Sequence, residues 1–156
     1  MFGFLKRKVR EVTSPVDGQV VALESVDDEV SSQKLVGDGV AVIPMSNMFK
    51  APIDGVVSKI FSTNHAYSIK SPKDLEVMVH IGLETVALEG KGFTCIVNEG
   101  DEVKAGDVII EADLAYLREH AKDIVTPVII MEESDVKEID KKLTIVKAGD
   151  MIMKVS

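Results

Sequence analysis

The run Ala51-Pro-Ile-Asp-Gly-Val-Val-Ser-Lys-Ile60 reads as a tight Asp-Gly turn feeding a short strand of β-branched residues. The same order stands thirty-seven residues earlier, in Ser14-Pro-Val-Asp-Gly-Gln-Val-Val-Ala-Leu23. A second echo joins Val103-Lys-Ala-Gly-Asp-Val-Ile-Ile110 to Val146-Lys-Ala-Gly-Asp-Met-Ile-Met153. Val36-Gly-Asp-Gly39, followed by Val-Ala-Val-Ile, supplies one more turn and strand. Turn signals separated by Val- and Ile-rich runs continue almost to Ser156, and this spacing predicts an all-β sandwich or barrel.

Helix is scarce in this pattern. Asp113 is an N-cap residue ahead of Leu114, Leu117 and Ala121, which share one face of a short amphipathic helix. Ser134 to Ile139 is expected to add one more turn, and Asp27 to Lys34 and Met45 to Lys50 read as surface loops. No linker or low-complexity segment divides the chain. Residues 1–11 are expected to be a flexible N-terminal tip and residues 12–156 a single domain.

Outward from Ile60 the chain continues Phe61-Ser-Thr-Asn-His-Ala-Tyr-Ser-Ile-Lys70, then Ser-Pro-Lys-Asp, then Leu75-Glu-Val-Met-Val-His-Ile-Gly82. Ser71 to Asp74 has the composition of a hairpin loop. A four-residue loop pairs Lys70 with Leu75, and every facing pair then sums to 145, His65 with His80 included. Leu75, Val77, Val79 and Ile81 alternate onto the core side, so Glu76, Met78 and His80 point away from it. In that register Phe61, Thr63, His65 and Tyr67 share the histidine face, which places two imidazoles opposite each other inside an apolar collar. A slip of one residue separates them.

The composition narrows the function. The chain has 156 residues and a formal charge of −8, with 46% hydrophobic and 28% charged residues. Such a balance is that of a globular domain, and it offers no basic footprint for nucleic acid. The tip, Met-Phe-Gly-Phe-Leu-Lys-Arg-Lys-Val-Arg10, holds four of the 18 basic residues and no acid, leaving 14 basic against 26 acidic residues elsewhere. Its apolar residues precede its charges, the reverse of a signal peptide, and it supports at most a weak contact with an anionic membrane surface. No apolar run is long enough to span a bilayer. The single cysteine, Cys95, forms no internal disulfide and reads as a buried strand residue.

Two facing histidines beside a threonine hydroxyl admit three readings. They are an incidental surface pair, two ligands of a metal, or a phosphoryl carrier with its assistant. Zinc takes three or four ligands, and no third donor stands at a recognisable spacing here. A neutral imidazole is a competent nucleophile at pH 7, and a second imidazole can stabilise the equatorial oxygens of a transferring phosphoryl group. No nucleotide-binding glycine loop or Walker lysine is present, so a phosphoryl donor would be a protein rather than ATP. The Gly-Asp turns also resemble those of biotinyl and lipoyl carrier domains. Met153-Lys154, the only Met-Lys, lies two residues from the end instead of in a hairpin.

Six stretches together resemble the glucose-type enzyme IIA component of the bacterial phosphoenolpyruvate-dependent sugar phosphotransferase system. They are Val36-Gly-Asp-Gly39, Ala51-Pro-Ile-Asp-Gly55, Lys59-Ile-Phe-Ser-Thr-Asn-His-Ala-Tyr-Ser-Ile69, Val79-His-Ile-Gly-Leu-Glu-Thr-Val86, Gly90-Lys-Gly-Phe93 and Gly106-Asp-Val-Ile-Ile-Glu-Ala-Asp-Leu114. The resemblance covers roughly Val12 to the C-terminus. It implies an antiparallel β-sandwich of barrel-sandwich-hybrid type with one or two short helices. By the same resemblance His80 is the nucleophile, phosphorylated at Nε2 by the phosphohistidine of the phosphocarrier protein HPr. The acceptor is then a cysteine on an enzyme IIB domain of a sugar permease. His65 is the assisting imidazole and Thr63 its hydrogen-bond partner. Val30, Leu35, Val36, Phe61, Met78 and Val86 fall at positions of the hydrophobic docking face.

The resemblance further implies a cytoplasmic monomer that needs no cofactor, with zinc at His65 and His80 only where a partner protein shares the ion. Met78, Ser31 and Glu84 depart from the residues common in the family, which bears on partner preference and leaves the chemistry alone. The tip is shorter than the amphipathic N-terminal segment of enteric members. The competing function is a non-enzymatic regulatory module that docks permeases or metabolic enzymes. Because this component never touches the sugar, the sugar is not legible.

Overall fold

A computed structural model describes residues 9–156 apart from 33 and 73. The largest sheet has eight strands, all paired antiparallel, in the order β13 (Ile145–Val146), β2 (Gly18–Ala22), β3 (Gly37–Pro44), β11 (Thr126–Met131), β7 (Glu76–His80), β6 (Ala66–Lys70), β5 (Gly55–Ile60) and β9 (Glu102–Val103). Two three-stranded antiparallel sheets complete the fold. One runs β1 (Arg10–Thr13), β14 (Met151–Val155), β12 (Ile139–Lys141), and the other β4 (Met48–Lys50), β10 (Val108–Ala112), β8 (Phe93–Cys95). The all-β antiparallel architecture is the expected one. Pairing begins at Arg10, opposite Val155, while Met1 to Lys8 lie outside the described residues.

The sequence echoes have a common physical cause. Thr13 N–H donates to Pro52 O at 2.9 Å, and Lys50 N–H, thirty-seven residues on, donates to Pro15 O at 2.8 Å. Asp17 Oδ1 accepts the Ala148 N–H at 2.7 Å, and Asp54 Oδ1 accepts the Ala105 N–H at 2.8 Å. Each Asp-Gly turn is thus latched by one Lys-Ala-Gly-Asp turn, and the two latches repeat across an internal pseudo-twofold. The glycines are needed because the next strand runs too close for a side chain. A Cβ on Gly18 would lie 2.2 Å from Ile43 O, and one on Gly55 would lie 2.3 Å from Lys70 O.

The main core is rich in Val and Ile, with Phe49, Tyr67, Leu75, Leu117 and Met153 among its larger members. A smaller cluster of Leu23, Val26, Ala41, Leu83, Val125 and Ile129 also forms, with Val21, Val36 and Met78 packed at its margin. Helix α2 (Leu114–His120) starts where expected, because Asp113 Oδ1 accepts the Tyr116 N–H at 3.1 Å. Three local expectations fail. Ser134 to Ile139 is not helical; Ile139 instead opens β12. Asp27 to Lys34 carries a one-turn helix, α1 (Glu29–Ser32), because the Asp28 carboxylate accepts the Ser31 N–H at 3.1 Å. Met45 to Lys50 contains β4, whose Phe49 is wholly buried. Cys95 ends β8 half-buried, its thiol donating to Val97 O at 3.0 Å. Lys154 is an exposed mid-strand residue of β14, so no carrier-domain hairpin lysine exists there.

Candidate functional site

The hairpin carrying the histidines closes with one residue fewer than expected. Ser71 N–H donates to Leu75 O at 2.8 Å, and Asp74 has a left-handed φ of 59°. Lys70 therefore pairs with Glu76, and Ala66 pairs with His80. The odd loop leaves the faces of β7 as predicted, with Val77 and Val79 buried and Met78 and His80 half-buried. On β6 it reverses them. Tyr67 opposes Val79 and is fully buried, donating its hydroxyl to Lys50 O at 2.7 Å, so it is a core residue and not part of the collar. Ser68 faces Met78 in its place.

The expected direct opposition of His65 and His80 is lost with that register, yet the rings meet. Their centroids are 4.9 Å apart at an interplanar angle of 74°. His65 lies just outside β6, after a turn in which Asn64 adopts a φ of 57° and donates its N–H to Phe61 O at 2.7 Å. Strand alternation does not govern a side chain in that bend. His65 O still accepts the Ile81 N–H at 2.8 Å, which ties the turn to the end of β7.

Each ring is oriented by one hydrogen bond at Nδ1. The His80 Nδ1 lies 2.8 Å from Gly82 O. A carbonyl only accepts, so Nδ1 carries the proton and Nε2 keeps its lone pair. The His65 Nδ1 lies 2.5 Å from Thr63 Oγ1, the partnership expected from the sequence. Burial pushes His65 down to about 4, and the charge His80 would carry adds to the effect. Burial also lowers His80, against the Gly82 carbonyl and the Asp28 carboxylate, which favour its charged form. Both rings are neutral nucleophiles or donors at pH 7, not cations.

The collar is smaller than expected but present. Phe61 packs edge-on to His65 at 5.3 Å, and Lys59 Nζ sits 4.7 Å over the Phe61 ring. Leu35 and Val86 are 57% and 58% exposed, while Val36 and Met78 are half-buried against the smaller cluster. Val30 belongs to α1, but its side chain lies outside the described residues. Val86 is carried on a 3-10 turn, Thr85–Leu88, bracketed by Glu84 and Glu89, both in left-handed conformation. No three His, Cys, Asp or Glu side chains among the described residues are grouped to hold a metal ion. A tetrahedral zinc on the two histidines would take further ligands from elsewhere. Sequence reasoning missed the Gly82 carbonyl, Asp28 and Lys59. The glycine two residues after His80 was the visible signal for the first.

A family model described as phosphoenolpyruvate-dependent sugar phosphotransferase system, EIIA 1, matches residues 10–136. The chain is 46% identical over 155 residues to the PTS system glucose-specific EIIA component of Haemophilus influenzae, covering 98% of this chain and 93% of that protein. It is 47% identical over 129 residues to the PTS system N-acetylglucosamine-specific EIICBA component of Klebsiella pneumoniae, covering 83% of this chain and 20% of that longer protein. Among solved structures it superposes on glucose permease IIA from Mycoplasma capricolum with a TM-score of 0.91 and 36% identity, covering 98% and 99% of the two chains.

Proposed function

This chain belongs to the EIIA 1 family of the phosphoenolpyruvate-dependent sugar phosphotransferase system, and on that footing we propose that it carries its phosphoryl group on His80 Nε2. Its role is that of a phosphoryl-carrying component in sugar uptake. The observation that carries the assignment to His80 is the 2.8 Å bond between its Nδ1 and Gly82 O, which leaves Nε2 as the lone-pair atom.

In the transfer, Nε2 attacks phosphorus while the bond from phosphorus to the donor's nitrogen breaks. The donor nitrogen keeps that electron pair, and the proton stays on His80 Nδ1, hydrogen-bonded to Gly82 O, as positive charge develops in the ring. His65 serves as the assistant. With the Thr63 hydroxyl donating to its Nδ1, His65 presents an Nε2–H toward an equatorial phosphoryl oxygen. In the forward step a thiolate displaces His80 from phosphorus. HPr as donor and a cysteine of a permease IIB domain as acceptor are part of this proposal. The EIICBA relative, which contains a matching segment, supports a permease partner. Leu35, Val36, Phe61, Met78 and Val86 serve as the docking rim in this reading, the family position of Val30 adding to them by sequence alone, and a cytoplasmic monomer suits that exchange. No helix of the described chain is long and apolar enough to cross a membrane. No cofactor enters these steps; a zinc on His65 and His80 would need a partner's carboxylate to complete it.

The test is phosphate uptake from phosphoenolpyruvate in the presence of enzyme I and HPr. Wild type gains one acid-labile phosphate and His80→Ala none. His65→Ala accepts phosphate but passes it on at least about a hundredfold more slowly, the low end of the range for one general acid or electrostatic contact. If wild type and His80→Ala behave alike, the carrier reading fails and the non-enzymatic docking module takes its place. If His65→Ala does not accept phosphate, the division of roles between the rings fails.

A further inference from the structure

We propose that Thr85 is a positioning residue for His80, holding the backbone of residues 81–83 so that the Gly82 carbonyl keeps the Nδ1 proton in place. The inference rests on His80 being the phosphoryl acceptor. Thr85 is wholly buried, and its Oγ1 donates to Ile81 O at 2.7 Å. A buried hydroxyl costs free energy that the isosteric valine would not, unless its bond does something. The acceptor here is the residue next to His80, outside the 3-10 turn Thr85–Leu88, so this is not a hydrogen bond within that turn.

The Ile81–Gly82 peptide is thus gripped from one side. The next peptide is gripped from the other, since Leu83 N–H donates to Asp123 O at 2.9 Å. Asp123 is itself fixed, its Oδ1 accepting the Val125 N–H at 2.9 Å. Gly82 sits between these grips with a φ of +76°. A Cβ there would lie 2.7 Å from Thr85 Cγ2 and 2.9 Å from Asp123 O. The oxygen of the peptide that Asp123 holds is the one that accepts from His80 at 2.8 Å. Asp123 C=O, Leu83 N–H, Gly82 C=O and His80 Nδ1–H therefore form one hydrogen-bonded series, in which each bond polarises the next. Asp123 acts on Nε2 through this series, and Thr85 acts from outside it by holding the adjoining Ile81–Gly82 peptide; neither is asked to approach the phosphoryl group.

The experiment uses the full chain labelled with nitrogen-15 at histidine. Long-range proton–nitrogen correlations at pH 8 report the His80 tautomer without any phosphorylation, and uptake from phospho-HPr reports the rate. Wild type is expected as the Nδ1–H tautomer. Thr85→Val is expected to populate the Nε2–H tautomer and to accept phosphate about tenfold more slowly. Thr85→Ser, which restores the hydroxyl, is expected to recover both readouts. Asp123→Ala, an exposed substitution that keeps the carbonyl but removes its Oδ1 clamp to the Val125 N–H, is expected to move the tautomer in the same direction if Thr85→Val does not fold. A wild-type tautomer in Thr85→Val and Asp123→Ala, or a slowed rate with the tautomer unmoved, overturns the proposal. A wild type that takes up no phosphate overturns the carrier reading instead, and the tautomer measurement still decides the role of Thr85.

Discussion

At the scale of single residues the chemistry depends on two imidazoles kept neutral by their surroundings. His65 is 3% exposed, and burial is the main reason its protonation is pushed down to about 4 from an ordinary 6.5. The unfolded chain therefore binds more protons than the native one between those values, and stability falls as pH drops through that window. The slope is about 1.4 kcal/mol per pH unit for each such group. Urea unfolding at pH 7.5 and pH 5 is expected to show a larger loss for wild type than for His65→Gln, which has no such proton to take up. Equal losses would mean that His65 titrates normally. The lowered value of His80 has a kinetic counterpart: its neutral form persists below pH 6.5, so phosphate acceptance falls off only at a pH below an ordinary histidine's value. Thr63 was read beside His65 from a strand alternation that this turn does not follow, and its hydrogen bond to His65 was implied by the family resemblance. The Gly82 carbonyl was marked only indirectly, by the glycine two residues after His80, because a backbone acceptor has no side-chain identity of its own.

At the scale of the hairpin, one residue of loop length decided which side chains reached the site. The alternation of β7 was readable from Leu75, Val77, Val79 and Ile81, all buried. The partner strand's faces depended on the loop, and the left-handed Asp74 shortened it. That change sent Tyr67 into the core. The histidines still meet because Asn64 turns the chain before β6 begins. Asparagine tolerates that conformation, whereas a β-branched residue does not. Asn64→Gly is expected to keep stability within a few tenths of a kcal/mol and to keep the His65 ring in place. Asn64→Val is expected to cost about 1–2 kcal/mol and to lower phosphate transfer to the acceptor. Thermal unfolding and the second transfer step check both, and a Val variant with native stability would show that the turn is not strained as described.

For the whole molecule, the two latches tie together turns that lie far apart along the chain. The glycines that the echoes share are explained by close backbone approach, and the pseudo-twofold predicts that the two latches respond alike. Gly18→Ala and Gly55→Ala each press a methyl against a carbonyl oxygen of the neighbouring strand. Each is expected to cost about 3 kcal/mol, and the pair to depart from additivity, since the Thr13–Pro52 and Lys50–Pro15 bonds join the two turns. Chemical denaturation of the single and double variants measures this, and a Gly55→Ala variant as stable as wild type would contradict the close approach. The sequence by itself determined the all-β class, the repeated turns, the core face of β7 and the identity of the histidine pair. Each of these rests on local chemistry: turn residues, period-two alternation and the scarcity of histidine. Tertiary structure alone decided the hairpin register, the burial of Tyr67, the tautomer of His80 and the grip of Thr85 and Asp123 around Gly82. Those depend on backbone carbonyls and loop closure, where atoms far apart along the chain, or common to every residue, are brought to hydrogen-bonding distance.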